Sequence, residues 1–268
     1  MHNCLAVAAA GLPLLAALLC VAEGDEPSSR AAPDTQPADE AVMKVLARLE
    51  SAGTKRINVE ADVDYRVDML QTQDVETRQG KAYYRAPSGD KPAMFRIHFD
   101  TLRQGAGGAK IADPVDYVFD GEWLTVRKER IKQMIRYQVA PPGQKASALE
   151  LGKGPFPVPF GQSVQAVLER FIPATRPLKE GEPAGTECLK LTVRPAAKGQ
   201  IDLKWVEMWV RPDGLPVRIV AEDRSENRST AAFANIRTPA DFPAETFDLP
   251  RPPRDWEFRV EPFAGRAE

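Results

Sequence analysis

Residues 57–70 read "INVEADVDYRVDML". Ile57, Val59, Ala61, Val63, Tyr65, Val67 and Met69 alternate with Asn58, Glu60, Asp62, Asp64, Arg66, Asp68 and Leu70. A period of two puts successive side chains on opposite faces of a strand, so this stretch predicts one apolar and one wet face. It is far longer than the usual ~5–6 residue strand. Long strands of this kind build a broad antiparallel sheet that buries one face.

The same habit recurs downstream. "GKAYYRA" (80–86) is a strand, and "AMFRIHFDTL" puts Phe95, Ile97 and Phe99 opposite Arg96, His98 and Asp100. "VDYVFDGEWLTVR" folds back at Asp120-Gly121, a strong two-residue hairpin signal, and "RIKQMIRYQV" continues it. "CLKLTVRP" places Leu189, Leu191 and Val193 on one face. "KWVEMWV" and "LPVRIVAED" form a hairpin across Pro212-Asp213-Gly214, with Val206, Met208 and Val210 facing Val217 and Ile219. "STAAFANIR" comes after the turn "RSENR".

Two helices interrupt the strands. Asp39 is an N-cap for "EAVMKVLARLES", where Val42, Val45, Leu46 and Leu49 follow the i, i+3, i+4, i+7 spacing of one apolar face. "GQSVQAVLERFI" (161–172) offers Val164, Val167, Leu168 and Phe171 in the same way. The fold class expected is α+β, mainly antiparallel β: a strongly curved sheet, an incomplete β-barrel, with the helices covering its concave apolar face.

The first 22 residues hold no Asp, Glu, Lys or Arg, and the apolar run Leu12–Val21 has the length of a signal-peptide core. It falls short of the ~20 apolar residues of a spanning helix. Residues 1–22 are therefore expected to be a cleaved signal peptide. Residues 23–38, rich in Pro, Ser and acidic side chains, are expected to be a disordered linker. Residues 39–268 then form a single domain. Of the three cysteines and two histidines, Cys4, Cys20 and His2 fall in the signal, leaving Cys188 and His98. An exported chain with a lone cysteine has no internal disulfide, so packing must hold it together.

The remaining chemistry is thin. One histidine and one cysteine, far apart, supply neither a nucleophile–base pair nor a zinc site. "QGAGGAK" (104–110) lacks the phosphate-cradling pattern. Asp116, Asp120 and Glu122 are accounted for by an outward strand face and a turn. Cys188 reads as a small packing residue and His98 as a solvent-facing one. Asn227-Arg228-Ser229 fits a glycosylation sequon, although an Asn in a turn accounts for it. The net charge of −2, from 36 basic and 38 acidic residues, excludes the positive excess of a nucleic-acid binder. The locally basic run 127–136 is a wet strand face or a docking surface. No cofactor or metal is expected, and the chain is not expected to be an enzyme. An apolar surface remains, of the kind that binds hydrophobic ligands.

The stretches "YVFDGEWLTV", "KWVEMWVRPDGLPVRIVAEDRSENRSTAAFANI", "GKAYYRAPSGDKPAMFRI" and "FDLPRPP" carry a resemblance, spanning about residues 39–250, to the LolA-like carriers of outer-membrane lipoproteins. The motifs are structural ones. The resemblance implies a monomeric periplasmic protein whose half-barrel takes up the acyl chains of a lipoprotein or lipid and passes them toward the outer membrane. Membrane-bound donor and acceptor proteins would be its partners. It implies a cavity lined by Val59, Val63, Tyr65, Val67, Phe95, Ile97, Phe99, Trp209 and Ile219. The lid would be Val42, Val45, Leu46 and Leu49 on the first helix and Val164, Val167, Leu168 and Phe171 on the second. A periplasmic lipid- or protein-sensing module with the same fold is the alternative. Two features depart from the family: the Pro/Phe-rich "GKGPFPVPFGQ" and the tail "RDWEFRVEPFAGRAE".

Overall fold

A computed structural model of the chain describes residues 39–54, 58–139, 141, 163–199 and 201–263. The expected signal peptide and linker, and the segment "GKGPFPVPFGQ" (152–162), lie outside the described residues.

Among the described residues the protein is an α+β open β-barrel dominated by one antiparallel sheet. Helix α1 (Glu40–Thr54) precedes β1 (Val59–Met69), β2 (Asp74–Arg85), β3 (Met94–Gln104), β4 (Lys110–Phe119), β5 (Trp123–Lys128) and β6 (Gln133–Gln138). Then come α2 (Val164–Arg170), β7 (Phe171–Arg176), β8 (Glu187–Val193), β9 (Leu203–Val210), β10 (Pro216–Asp223), β11 (Asn227–Arg237) and β12 (Glu257–Glu261). The order across the sheet is β12-β6-β5-β4-β3-β2-β1-β11-β10-β9-β8-β7. Thus β1 sits at the join of two meanders, paired on one side with β2 and on the other with β11.

Each helix start is set by its cap. Asp39 Oδ1 accepts from the Ala41 amide (3.2 Å), and Ser163 Oγ accepts from the Ala166 amide (3.1 Å). The second helix is shorter than its sequence pattern. Phe171 continues the apolar spacing of α2, yet its φ/ψ of −128°/156° make it the C-cap and the first residue of β7. Pro173 two residues on ends any helix. It is tolerated in β7 because that strand is a sheet edge.

The inner face of the sheet holds two packed groups. Val42, Val45, Leu46 and Leu49 of α1 and Val167 of α2 press onto Leu189, Leu191, Val206, Met208, Val210 and Ile219. A second, aromatic group joins Val59, Val63, Tyr84, Phe95, Phe99 and Phe119. Ala52, in the last turn of α1, belongs to this second group, so one helix touches both.

The outer face is covered differently. After β11 the chain runs back over it as a strap, residues 238–256, before β12 pairs in parallel with β6. Phe242, Phe247 and Leu249 pack on Val118, Tyr83 and Met94. Three arginines on separate strands donate to strap carbonyls: Arg85 to Phe242 O (3.0 Å), Arg96 to Thr246 O (3.1 Å) and Arg127 to Pro250 O (3.3 Å). The tail read as a departure from the family is therefore, in part, a twelfth strand.

Candidate functional site: an apolar trough on the inner face

Cross-strand register builds the site. On the inner face Val59 lies opposite Tyr84, which lies opposite Phe95, which lies opposite Phe119. The next row is Ala61, Ala82, Ile97 and Tyr117. The third is Val63, Gly80, Phe99 and Val115. Glycine is required at position 80, because a Cβ there would sit 1.9 Å from the His98 carbonyl oxygen. Phe95 and Phe119 stack at 5.6 Å, and Phe99 meets Tyr65 at 5.9 Å.

A cavity opens among these rows. Val59, Ala61, Tyr84, Phe95, Ile97 and Phe233 line it, together with Leu215 and Ile236. Its free volume is about 40 Å³. Burial raises the Tyr84 and Tyr65 phenols to about 12, so neither brings a charge to the trough at neutral pH. At the other end of the face the lining turns ionic. Asp113, buried, takes Arg130 Nε at 2.7 Å and Arg78 Nη2 at 3.0 Å. The trough is apolar at the Val59–Phe95 end and closed by charge at the Arg78–Asp113 end.

The Pro212-Asp213-Gly214 turn forms the wall nearest α1. Gly214 has φ +86°, and a Cβ on it would lie 2.3 Å from the Arg48 carbonyl oxygen of α1. Leu215 comes next and belongs to the trough group. Two polar contacts hold the helix in place: Arg48 pairs with Glu187, and Glu50 Oε1 accepts from the Val164 amide of α2 (3.2 Å).

The residues singled out in the sequence divide into several groups. Val59, Phe95 and Ile97 line the cavity. Val63 and Phe99 are buried in the same group, with Tyr65 packed against it. Val67 is half-buried farther along β1. Ile219 shares the inner face but lies under the helices, fully buried. Val42, Val45, Leu46, Leu49, Val167 and Phe171 are buried beside it, and Val164 and Leu168 pack against them.

Trp209 is on the wrong side. Its neighbours Met208 and Val210 point inward, so residue 209 points outward, against Cys188, Val217 and Val220. There it lies between Arg176 (5.5 Å) and Arg218 (5.0 Å). Val217 also leaves the inner face. A bulge between Pro216 and Arg218 shifts the register, and Val217 is the extra residue. Phe171 keeps its buried place but belongs to a strand. Sequence reasoning missed Ala61, Ala82, Tyr84, Leu215, Phe233 and Ile236. Tyr84 and Phe233 were readable from the alternation in "GKAYYRA" and "STAAFANIR"; the turn residue Leu215 had no periodic signal.

On the outer face His98 and Asp116 are not simply solvated. Asp116 accepts from Arg96 Nε (2.8 Å) and contacts His98 Nδ1 (2.9 Å). The hydrogen bond to Asp116 raises the His98 pKa. Burial pushes the Asp116 carboxyl up, but His98 and Arg96 outweigh it and hold the carboxyl below its ordinary value. Cys188 is buried, which pushes its thiol up to about 11 and leaves it unreactive. Among the described residues no group of three or more His, Cys, Asp or Glu is placed to hold a metal, and no helix is long and apolar enough to cross a membrane.

No known family profile matches the chain, and no curated protein matches it in sequence. Solved structures match its fold. One is an uncharacterized conserved protein from Thermus thermophilus, 11% identical, covering 83% of this chain and 100% of that one, with a TM-score of 0.45. Another is a LolA superfamily protein from Nitrosomonas europaea, 13% identical, covering 78% and 97%, TM-score 0.37. A third is the Mycobacterium tuberculosis lipoprotein LppX, 12% identical, covering 76% and 99%, TM-score 0.39.

Proposed function

We propose that the protein is an exported carrier that takes acyl chains of lipoproteins or lipids into the inner-face trough and passes them toward the outer membrane. The observation that supports this reading is the lining itself: Val59, Ala61, Tyr84, Phe95, Ile97 and Phe233 meet in a cavity without a charged side chain. Apolar concave sites of this kind take apolar ligands.

The trough is nearly collapsed. A volume of about 40 Å³ holds a few water-sized groups and no long chain. Loading therefore requires the wall to move, and α1 is the element that shuts it. The helix rests on the Gly214 turn and reaches both inner-face groups. Each CH₂ moved out of water contributes roughly 0.8 kcal/mol. The aromatic rings already bury one another, with Ala52 of α1 packed in the same group, which offsets much of that gain. Net affinity is set by the difference between closed and open states, as a reversible carrier requires.

The test is native mass spectrometry of the exported chain purified from a bacterial periplasm, with titration of a fluorescent fatty-acyl probe. Co-purified lipid or acylated protein is expected. Ile97→Gln should lower probe affinity while near-UV circular dichroism stays native. A clean apo mass together with no probe binding would sink the reading.

A further inference from the structure

A second cavity lies on the opposite side of the sheet, between its outer face and the C-terminal strap. Its volume is about 390 Å³, within the range of small-molecule sites, roughly 300–1,000 Å³. The floor comes from β4, β5 and β6 through Val118, Thr125 and Met134. Phe247 and Leu249 of the strap and Phe258 of β12 wall it.

Three donors of this cavity are underused. Thr125 is 8% exposed, and its hydroxyl has no hydrogen-bond partner among the described residues. Arg136 stacks on Trp123 at 4.9 Å, and its nearest carboxylate, Asp120, is 3.6 Å away. That carboxylate also lines the cavity: its Oδ1 accepts from the Glu122 and Trp123 amides at 3.0 and 2.8 Å, and its Oδ2 faces Arg136. Arg251 lines the cavity from the strap and makes no ion pair with a described residue. Asp248 also lines it, and Asp248 and Arg251 are both solvent-exposed.

We propose that this cavity is a second binding site, for a single-tailed amphiphile with an anionic head. Arg136, Arg251 and the Thr125 hydroxyl hold the head, and Val118, Met134 and Phe258 receive the first carbons of the tail. Guanidinium groups are suited to this because they present forked donors to carboxylate or phosphate oxygens. The site is separated from the trough by the sheet itself, since Val118, Thr125 and Arg136 occupy the face opposite Phe119, Leu124 and Ile135.

The test is titration of the exported chain with octanoate, observed through the ¹³C-methyl resonance of Met134 and assigned with Met134→Leu. Met134 is in the cavity floor, whereas Met208 is buried under α1 and serves as the internal control. Octanoate is expected to shift Met134 saturably and leave Met208 in place. In the Arg136→Gln/Arg251→Gln double variant the midpoint should rise about tenfold or more, the loss of charge-assisted hydrogen bonds. Thr125→Val, which keeps the shape of the floor, should weaken binding by a smaller factor. Octanol, without the anion, and inorganic phosphate, without the tail, should each move Met134 far less. A silent Met134, an equal response to octanol or to phosphate alone, or an unchanged midpoint in the double variant each overturns the proposal.

Discussion

The two faces of β3 show how differently one strand can be used. Phe95, Ile97 and Phe99 point inward and meet carbon on every side. Arg96, His98 and Asp100 point outward and meet charge and backbone carbonyls. Both faces are covered, but the covers are held by different forces. On the inner side α1 is held mainly by burial of its apolar stripe. On the outer side the strap is pinned by arginines reaching its carbonyls, with a smaller apolar patch beneath. An apolar cover can slide and re-form without a specific partner, because burial is non-directional. A hydrogen-bonded strap is fixed in register. The contrast sets a cover held by packing on the inner face against a strap held in register on the outer face.

If the inner face is held by packing, truncating its centre should have the largest effect. Phe99 is 1% exposed and contacts Tyr65 and Tyr117. Phe99→Ala is expected to cost about 3–5 kcal/mol in chemical denaturation. A loss below about 1 kcal/mol would mean that the aromatic group collapses freely. On the outer face the counterpart is Arg96→Ala. It removes the donor to Thr246 O and leaves the buried Asp116 with His98. The expected cost is about 1.5–3 kcal/mol, and strap amides near residue 246 should exchange faster with solvent. Unchanged strap exchange would show that the apolar patch alone holds it.

Much of the inner face was legible because β1 and β3 alternate strictly, and alternation is geometry. The failures have physical causes. Trp209 reads as an apolar lining residue by type, yet its parity with Val206, Met208 and Val210 already places it outside. Val217 could not be placed from parity, because the bulge at Pro216–Arg218 is a backbone event with no sequence period. Phe171 satisfied a helical spacing that Pro173 then contradicted. The course of the strap was hard to foresee because three of its contacts run from arginine side chains to carbonyls, and carbonyl positions carry no residue signature. The same reason hides the outer cavity: Thr125, Arg136 and Arg251 are brought together by a return of the chain over distant strands.

The junction of α1 with the trough can be broken at one position. Gly214→Ala forces a side chain into a positive-φ position and against the Arg48 carbonyl. A cost of about 1–3 kcal/mol is expected, with faster hydrogen exchange in α1 and faster uptake of an acyl probe. If α1 exchange does not change, the Gly214 turn is not its seat.

The smallest effect is expected from His98→Gln, and it separates the faces by pH. Asp116, Asp100 and Arg96 surround this imidazole, with the strap carbonyl of Thr246 bound to the same arginine. The hydrogen bond to Asp116 raises the folded pKa of His98 above its ordinary value. Protonated His98 therefore stabilises the fold, and that contribution is fully present below about pH 6.5 and lost as pH rises through the folded pKa. Asp116, with its pKa lowered, stays ionised through this window. The imidazole is partly exposed, so the contribution is under about 1 kcal/mol. Denaturation of wild type and His98→Gln between about pH 5.5 and pH 9 should show a gap that narrows as pH rises. A gap that stays constant or widens would mean that the imidazole is neutral in the folded state and that Arg96 alone holds Asp116. Acyl-probe binding should be indifferent to the substitution throughout, because the sheet lies between His98 and the trough.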